Sequence, residues 1–156
     1  MTQPLTESGA VLPKRILMVC VGNVCRSPTA EVILRSRCRD GDIVVESAGL
    51  GALSGRAIDP LAEAVLVEHG LSGAGHVARQ VTPALIDAAD LVLVMEAPQL
   101  RAIHALAPHA AGRTFLLGKW HGEIDIPDPY RQRLAVFRDV FWMIDKAVNS
   151  WRMHLQ

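Results

Sequence analysis

One cysteine and one arginine in this chain stand at a spacing that suits a bound phosphate. Cys20 is followed by five residues, then by Arg26 and Ser27. The backbone N–H groups between them can curl into a nest that accepts phosphate oxygens, and the planar guanidinium of Arg26 can pair with two of those oxygens. A thiolate at Cys20 would be a nucleophile in line with phosphorus, and a phosphocysteine is its natural product. The spacing therefore predicts a phosphoryl-transfer site.

The residues of this loop suit a tight curl that leads into a helix. Gly22 and Asn23 tolerate the left-handed backbone conformations that such a curl requires. Ser27 followed by Pro28 is typical of a helix N-cap with proline at the first helical position, and a helix N-terminus attracts anions. The predicted phosphate-binding residues are Val21, Gly22, Asn23, Val24, Cys25 and Ser27.

Cysteine usage weighs against a metal site. The chain has three cysteines, at positions 20, 25 and 38. The first two lack the close spacing of zinc ligands and no matching second pair follows, so we expect neither a metal nor a cofactor. An odd number of cysteines without an export signal favours free thiols and a cytoplasmic location. We interpret Cys38, on the apolar face of its helix, as a small buried hydrophobic residue.

The elements that position the loop alternate between strands and helices. Compact apolar runs predict buried strands at residues 14–21, 43–45, 90–95 and 114–117. Helices are predicted after Ser27, Asp59 and Thr82 and over residues 99–106 and 132–155, with loops at 47–55 and 118–131. This order predicts an α/β fold with an open four-stranded parallel sheet and helices on both of its faces. Ligands bind beyond the carboxyl ends of the strands in such sheets, which is where the loop after the first strand lies.

Length and charge indicate one domain with a balanced surface. Of the 156 residues, 16 are acidic and 16 are basic, and this neutrality argues against nucleic-acid binding, which depends on a basic surface. No apolar run is long enough to span a bilayer, so we expect no membrane insertion. We interpret residues 1–13 as a flexible tail and residues 14–156 as one catalytic domain.

A longer segment around the loop matches a known pattern. Residues 20–31, CVGNVCRSPTAE, resemble the signature of the low-molecular-weight protein tyrosine phosphatases. Further segments resemble that family in its usual order; they are SAGLGALSGRAIDP, EHGL, HVARQVT, ADLVLVME and IPDPYR. The resemblance implies an enzyme that hydrolyses phosphotyrosine in proteins through a phosphocysteine, without a cofactor.

The acid that protonates the departing tyrosine oxygen is chosen by the resemblance alone. Glu123, Asp125 and Asp128 are equal candidates by their position in the loop before the last helix. The family places its general acid in an Asp-Pro-Tyr motif, which implies Asp128 and gives the same carboxylate the task of activating water in the second step. The resemblance also implies that Tyr130 and Leu53 form the two walls of the substrate crevice.

The resemblance assigns supporting roles to polar residues around the loop. Ser27 matches a serine that stabilises the leaving thiolate in the second step, a role compatible with its predicted helix cap. Asn23, Ser47 and His76 match a network that holds the asparagine of the phosphate loop in a strained conformation.

Three related activities differ from tyrosine dephosphorylation at particular residues. Thioredoxin-coupled arsenate reductases need two further cysteines in mid-chain, and none follows Cys38. Protein-arginine phosphatases of this family carry threonine where this chain has Val24, an aliphatic residue typical of the tyrosine enzymes. A phosphocysteine carrier or a phosphate-binding regulator would not need Arg26 and Asp128. Tyrosine phosphatase is the favoured function, with arginine phosphatase and carrier or regulator as alternatives.

The resemblance also points to a partner. Segments such as GALSGRAIDP and IPDPYRQ look most like phosphatases encoded beside bacterial exopolysaccharide export systems. This implies a phosphotyrosine protein as substrate, in particular the tyrosine-rich tail of a membrane-bound bacterial tyrosine kinase.

A redox switch is predicted within the loop. Cys20 and Cys25 lie in one tight curl, so their α-carbons can approach the distance that a disulfide needs. Peroxide would attack Cys20 first, and Cys25 would condense with the resulting sulfenic acid before further oxidation.

Overall fold

A computed structural model describes residues 13–38, 41 and 43–155, and its centre is a parallel sheet of four strands. The strands are β1 (Arg15–Cys20), β2 (Val44–Gly49), β3 (Leu91–Val94) and β4 (Thr114–Leu116), in the spatial order β2-β1-β3-β4. All pairings of these strands are parallel, which confirms the predicted sheet. β2 continues to Gly49, where a loop was predicted from residue 47, because its last residues pair with the end of β1. Residues 1–12 of the predicted tail lie outside the described residues.

Within the described part of the chain, five α-helices connect and cover the strands. They are α1 (Arg26–Arg37), α2 (Pro60–Glu68), α3 (Pro83–Ala88), α4 (Ala97–Leu106) and α5 (Leu134–Met153), with a 3₁₀ helix at Pro108–Arg113. The predicted starts of α2 after Asp59 and of α3 after Thr82 are confirmed, and the side chains of both residues accept backbone hydrogen bonds from the first turn of the helix.

The strands are buried on both faces because helices cover both sides of the sheet. Ile16 and Met18 of β1 pack in one core with α1, α2 and α5, whereas Leu17 and Val19 pack in a second core with α3 and α4. Successive side chains of a strand point to opposite faces, so one continuous apolar run supplies both cores. The predicted placement of helices on both faces is therefore confirmed.

The long helix α5 completes the larger core. Its buried residues include Phe137, Phe141, Ile144, Val148 and Trp151. The indole N–H of Trp151 donates to the carbonyl of Leu117 at 2.9 Å, which ties the helix to the chain just after β4. Among the described residues, neither α5 nor any other helix has the length and hydropathy that crossing a membrane requires.

Candidate active site

The loop after β1 enters α1 earlier than the sequence predicts. α1 begins at Arg26, and its N-cap is Cys25, whose side chain makes no capping hydrogen bond. The predicted cap at Ser27 is wrong because the Ser27 hydroxyl is engaged by the loop itself, 2.9 Å from the sulfur of Cys20. Pro28 consequently stands inside the first turn, where its missing N–H costs no helical hydrogen bond.

The backbone carbonyls of the loop are held by neighbouring segments. Those of Cys20, Val21, Gly22 and Val24 accept hydrogen bonds of 2.9–3.0 Å from the backbone of Leu50, Gly51, Leu53 and Asp59. By contrast, the N–H groups of Val21, Gly22, Val24 and Cys25 have no hydrogen-bond partner in the described part of the chain. Anchored carbonyls and successive unpaired amides are what an anion nest consists of.

The thiol of Cys20 is surrounded by donors from the same loop. The residue is 2% exposed, and its sulfur accepts the backbone N–H of Asn23 at 3.3 Å and lies 2.9 Å from Ser27 Oγ. The side-chain amide of Asn23 donates to that Oγ at 2.8 Å, so the hydroxyl hydrogen of Ser27 is directed toward the sulfur. Two hydrogen-bond donors from the loop thus point at the sulfur.

Asn23 is the strained residue of the loop. Its φ is 58° and its side chain is fully buried. Its Nδ2 donates to Ser47 Oγ at 3.0 Å, and its Oδ1 accepts the backbone N–H of Arg79 at 3.0 Å. Nε2 of His76 lies 2.6 Å from the Asn23 carbonyl oxygen and donates to it, since a carbonyl can only accept. The structure thus brings Asn23, Ser47 and His76 together and adds Arg79, which the sequence analysis missed. The backbone N–H of Arg79 contacts Asn23, and its side-chain Nε donates to the carbonyl of Ser47 at 3.0 Å.

Two glycines near the loop differ from what the sequence suggests. The φ of Gly22 is not positive, and a Cβ there would make ordinary contacts of 3.6–3.8 Å. Of the two residues expected to tolerate a left-handed conformation, Asn23 adopts it and Gly22 does not. Gly49, the last residue of β2, has no room for a side chain. A Cβ at Gly49 would lie 2.3 Å from the carbonyl oxygen of Val21 and 3.0 Å from the Cβ of Asn23. No local sequence pattern reveals this close approach.

Arg26 is buried and oriented by groups far along the chain. The residue is 2% exposed. Its Nη1 donates to the carbonyl of Ile126 at 2.7 Å and forms an ion pair with Glu96, and its Nη2 lies 3.7 Å from Asp128 Oδ2. Glu96 was missed by the sequence analysis. A carboxylate placed two residues after a buried strand, at the carboxyl edge of the sheet, is the signal that could have found it.

A crevice of about 130 Å³ gathers most of the predicted site. Its lining consists of Cys20, Val21, Gly22, Val24, Cys25, Arg26, Gly51, Leu53, Asp128 and Tyr130. The other predicted site residues, Asn23, Ser27, Ser47 and His76, stand behind this lining and hold the loop through the contacts described above. The loop thus supplies the floor of the crevice, and two more distant segments supply the rest.

The three candidate acids are separated by the path of the loop before α5. Asp128 lines the crevice with its side chain 46% exposed, and its Oδ1 accepts the backbone N–H of Tyr130 at 3.0 Å. Asp125 accepts the backbone N–H of Ala97 at 3.0 Å instead, and neither Asp125 nor Glu123 lines the crevice. Of the three, only Asp128 is brought close to Arg26 and Cys20.

The other two cysteines have surroundings unlike those of Cys20. Burial raises the pKa of the Cys25 thiol far above its ordinary value, and the nearby carboxylates of Asp59 and Asp128 raise it further. Cys25 is therefore a neutral thiol beside the crevice. Cys38 follows the last residue of α1, is half-buried and packs against the larger core. No group of three or more metal-binding side chains occurs among the described residues.

Comparison with known proteins matches almost the whole chain to one family. Residues 15–156 match the family described as low molecular weight phosphotyrosine protein phosphatase. A relative named low molecular weight protein-tyrosine-phosphatase Wzb, from Escherichia coli strain K12, is 44% identical over 140 residues. That alignment covers 90% of this chain and 94% of the relative.

Solved structures resemble the whole fold. The tyrosine phosphatase Wzb from Escherichia coli K30, in complex with sulphate, has a TM-score of 0.89 and 38% identity, covering 93% of this chain and 100% of the other. The YwlE arginine phosphatase from Geobacillus stearothermophilus has a TM-score of 0.86 and 34% identity, covering 92% and 94%. Proteins named for two different substrates therefore share this fold, so the fold alone does not distinguish between them.

Proposed function

Because this chain belongs to the low molecular weight phosphotyrosine protein phosphatase family, we propose that its crevice uses Cys20 as nucleophile, Arg26 as phosphate clamp and Asp128 as general acid and base. The chain is a protein tyrosine phosphatase, and the proposal assigns its chemistry to particular atoms. The observation that carries it is the convergence of a thiol, a guanidinium and a carboxylate in one crevice. Residues 14–156 are proposed to form the catalytic domain.

In the proposed complex the phosphate occupies the nest at the floor of the crevice. Its oxygens accept hydrogen bonds from the unpaired N–H groups of Val21, Gly22, Val24 and Cys25. The planar guanidinium of Arg26 pairs with two of these oxygens. The phenyl ring lies between Leu53 and Tyr130. The recessed position of Cys20, 2% exposed, supports a long, flat substrate side chain, because phosphoserine is too short to reach the thiol from the surface.

The first chemical step transfers the phosphoryl group to the enzyme. The thiolate of Cys20 attacks phosphorus, the bond from phosphorus to the tyrosine oxygen breaks, and Asp128 donates its proton to that oxygen. The nest amides and Arg26 stabilise the charge on the equatorial oxygens, and they do so without reorganisation because the fold already holds them in place. The product is phosphocysteine and a neutral tyrosine.

The second step returns the enzyme to its starting state. Asp128, now ionised, takes a proton from a water molecule that attacks phosphorus, and the bond between phosphorus and sulfur breaks. The leaving thiolate of Cys20 is stabilised by the Ser27 hydroxyl, 2.9 Å from the sulfur, and by the backbone N–H of Asn23. Ser47 and His76 support this arrangement by holding Asn23 in its left-handed conformation.

Rapid acid quench during turnover, followed by peptide mass spectrometry, tests the assignment. We expect a phosphate on Cys20 in the wild type and in Cys38→Ser, which should retain nearly full activity. Cys20→Ser should not turn over but should still bind inorganic phosphate, because the nest and Arg26 remain. A phosphate on another residue, or equal losses of activity in the two variants, would contradict the assignment. A chase distinguishes a carrier, which would hold its phosphate, from a phosphatase, which releases it within seconds.

The composition of the crevice supports phosphotyrosine over phosphoarginine. Val24 lines the crevice floor and is 5% exposed. Its side chain offers an apolar surface and no hydroxyl, so a guanidinium substrate would lose hydrogen bonds to water without replacement. A screen of phosphotyrosine, phosphoarginine and phosphoserine peptides of one sequence decides between the readings, and we expect phosphotyrosine to be preferred.

The proposed physiological substrate is the tyrosine-rich tail of a membrane-bound bacterial tyrosine kinase, with the phosphatase acting in the cytoplasm beside an exopolysaccharide export system. The resemblance of the segments GALSGRAIDP and IPDPYRQ to phosphatases of such systems supports this proposal. Neither nucleic-acid binding nor membrane insertion is part of it. Dephosphorylation of a purified, autophosphorylated kinase of this class, with loss of label from its tail, is the direct test.

A further inference from the structure

Arg131 follows the substrate wall in a backbone conformation that its residue type disfavours. Residues 129–132 form a turn closed by a hydrogen bond of 2.8 Å from the N–H of Gln132 to the carbonyl of Pro129. Arg131 is the third residue of this turn and its φ is 66°. Turns of this kind favour glycine or asparagine at that position. A disfavoured residue beside a functional site is a sign that its side chain is used.

The guanidinium of Arg131 lies at the rim of the crevice with its charge uncompensated. Its Cζ is 5.3 Å from the centroid of the Tyr130 ring, a cation–π contact. The residue is exposed and stands outside the lining of the crevice, next to Tyr130, which belongs to that lining. Among the described residues it forms no ion pair with a carboxylate, unlike Arg26, which faces both Glu96 and Asp128.

We propose that Arg131 determines specificity by binding an anionic group, a carboxylate or a second phosphate, on a residue that flanks the phosphotyrosine. The inference rests on the proposed function. A phosphotyrosine ring packed against Tyr130 places the substrate backbone at the rim, and the residues on either side of it come within reach of the guanidinium. A planar guanidinium pairs with both carboxylate and phosphate. In the proposed first step Asp128, which lines the crevice, carries the proton that it donates, so its carboxyl does not oppose an anionic neighbour.

Peptides that share one phosphotyrosine and differ only in their flanking residues test this proposal. The flanks are alanine, glutamate, lysine or a second phosphotyrosine, and a small aryl phosphate serves as a substrate without flanks. For the wild type we expect kcat/KM about two- to fivefold higher with glutamate than with alanine, as for one exposed ion pair. A second phosphate should give a larger factor because of its greater charge. The preference should shrink as ionic strength rises.

Three variants separate the charge of Arg131 from its place in the fold. Arg131→Asn removes the charge with a residue that tolerates φ 66°, so its melting temperature should equal or exceed that of the wild type. Arg131→Lys keeps the charge. Arg152→Gln removes one charge at the far end of α5, about 27 Å along the helix from its start, and is the matched control for net charge.

The expected pattern is loss of the anionic preference in Arg131→Asn, with retention in Arg131→Lys and Arg152→Gln and an unchanged rate on the aryl phosphate. No preference in the wild type, or a preference that survives in Arg131→Asn, would overturn the proposal. An equal loss on the aryl phosphate would also overturn it, because Arg131 would then merely support Tyr130. If the wild type hydrolyses none of the phosphotyrosine peptides, the proposed function itself fails. If it hydrolyses all of them equally, only the proposal for Arg131 fails.

Discussion

Replacing Gly49 by alanine should displace the phosphate loop through one backbone contact. Gly49 cannot retreat, because its N–H donates to the carbonyl of Arg79 at 2.9 Å and its carbonyl accepts the N–H of Val81 at 2.8 Å. A Cβ on this residue would lie 2.3 Å from the carbonyl oxygen of Val21, whereas ordinary contacts begin at 3.4 Å. The loop that carries Cys20 must therefore move by about 1 Å.

The size of the effect follows from that displacement. Overpacking of a dense site costs about 1–3 kcal/mol of stability, so Gly49→Ala should fold but unfold at a lower urea concentration. A shift of about 1 Å in a catalytic group can cost about 10²-fold in rate. Both the nest amides and the thiol belong to the displaced segment, so catalysis should suffer more than stability. We expect kcat/KM to fall by about 10²-fold and inorganic phosphate to bind more weakly.

The assay compares Gly49→Ala with Gly112→Ala, which makes the same chemical change. A Cβ at Gly112, in the 3₁₀ helix, has no neighbour within 4 Å, so this control should keep wild-type activity. Steady-state kinetics on a phosphotyrosine peptide, competitive inhibition by phosphate and urea unfolding are measured for all three proteins. If Gly49→Ala keeps activity within about threefold of the wild type, the reasoning is refuted, because the loop would then tolerate a side chain at this contact.

Three further predictions concern the acid, the selectivity and the redox state of the site. Asp128→Ala should lower kcat by roughly 10²–10⁴-fold, and by less for acidic phenols, which leave without a proton. Asp125→Ala should change little, and a larger effect there in the same steady-state assay would reassign the acid. Val24→Thr should raise the ratio of kcat/KM for phosphoarginine to that for phosphotyrosine, since the hydroxyl gives the guanidinium a polar contact; an unchanged ratio would remove Val24 from selectivity. After peroxide treatment, a dithiol should restore the activity of the wild type but largely not that of Cys25→Ser. Because burial raises the pKa of the Cys25 thiol, the protection of Cys20 against irreversible oxidation should improve as pH rises and the thiolate fraction of Cys25 grows. Equal recovery of both proteins would exclude Cys25 from the switch.

The sequence by itself determined the chemistry of the loop and the class of fold. The residues from Cys20 to Ser27 are neighbours in the chain, so one turn of backbone is enough to gather the thiol, the amides and the guanidinium. The sheet was also predictable from local sequence. Strands that are covered on both faces consist of continuous apolar runs, and in this chain such runs alternate with helical patterns.

Smaller local details were less predictable. The start of α1 was misplaced because Ser27 followed by Pro28 is a good capping sequence, yet the hydroxyl of Ser27 is more strongly engaged by the sulfur of Cys20 and the amide of Asn23. Gly22 and Asn23 were both expected to tolerate a left-handed conformation, and of the two Asn23 adopts it. In both cases contacts within the folded loop, which no local rule contains, decided the outcome.

Residue types and spacing did not show which distant groups serve the loop; the family resemblance implied Asp128, and the tertiary structure brings it to the crevice. Glu123, Asp125 and Asp128 share one chemistry and one segment, so only the path of that segment across the sheet edge brings Asp128 to the crevice. Arg26 is oriented by Glu96 and Ile126, which lie 70 and 100 residues away along the chain. Such contacts depend on how the sheet brings the ends of separate strands to one edge, and neither hydrophobic periodicity nor capping residues encode that geometry. The proposed nucleophile could therefore be identified from the sequence, whereas Glu96 and the Ile126 carbonyl, which orient Arg26, are found only in the folded structure.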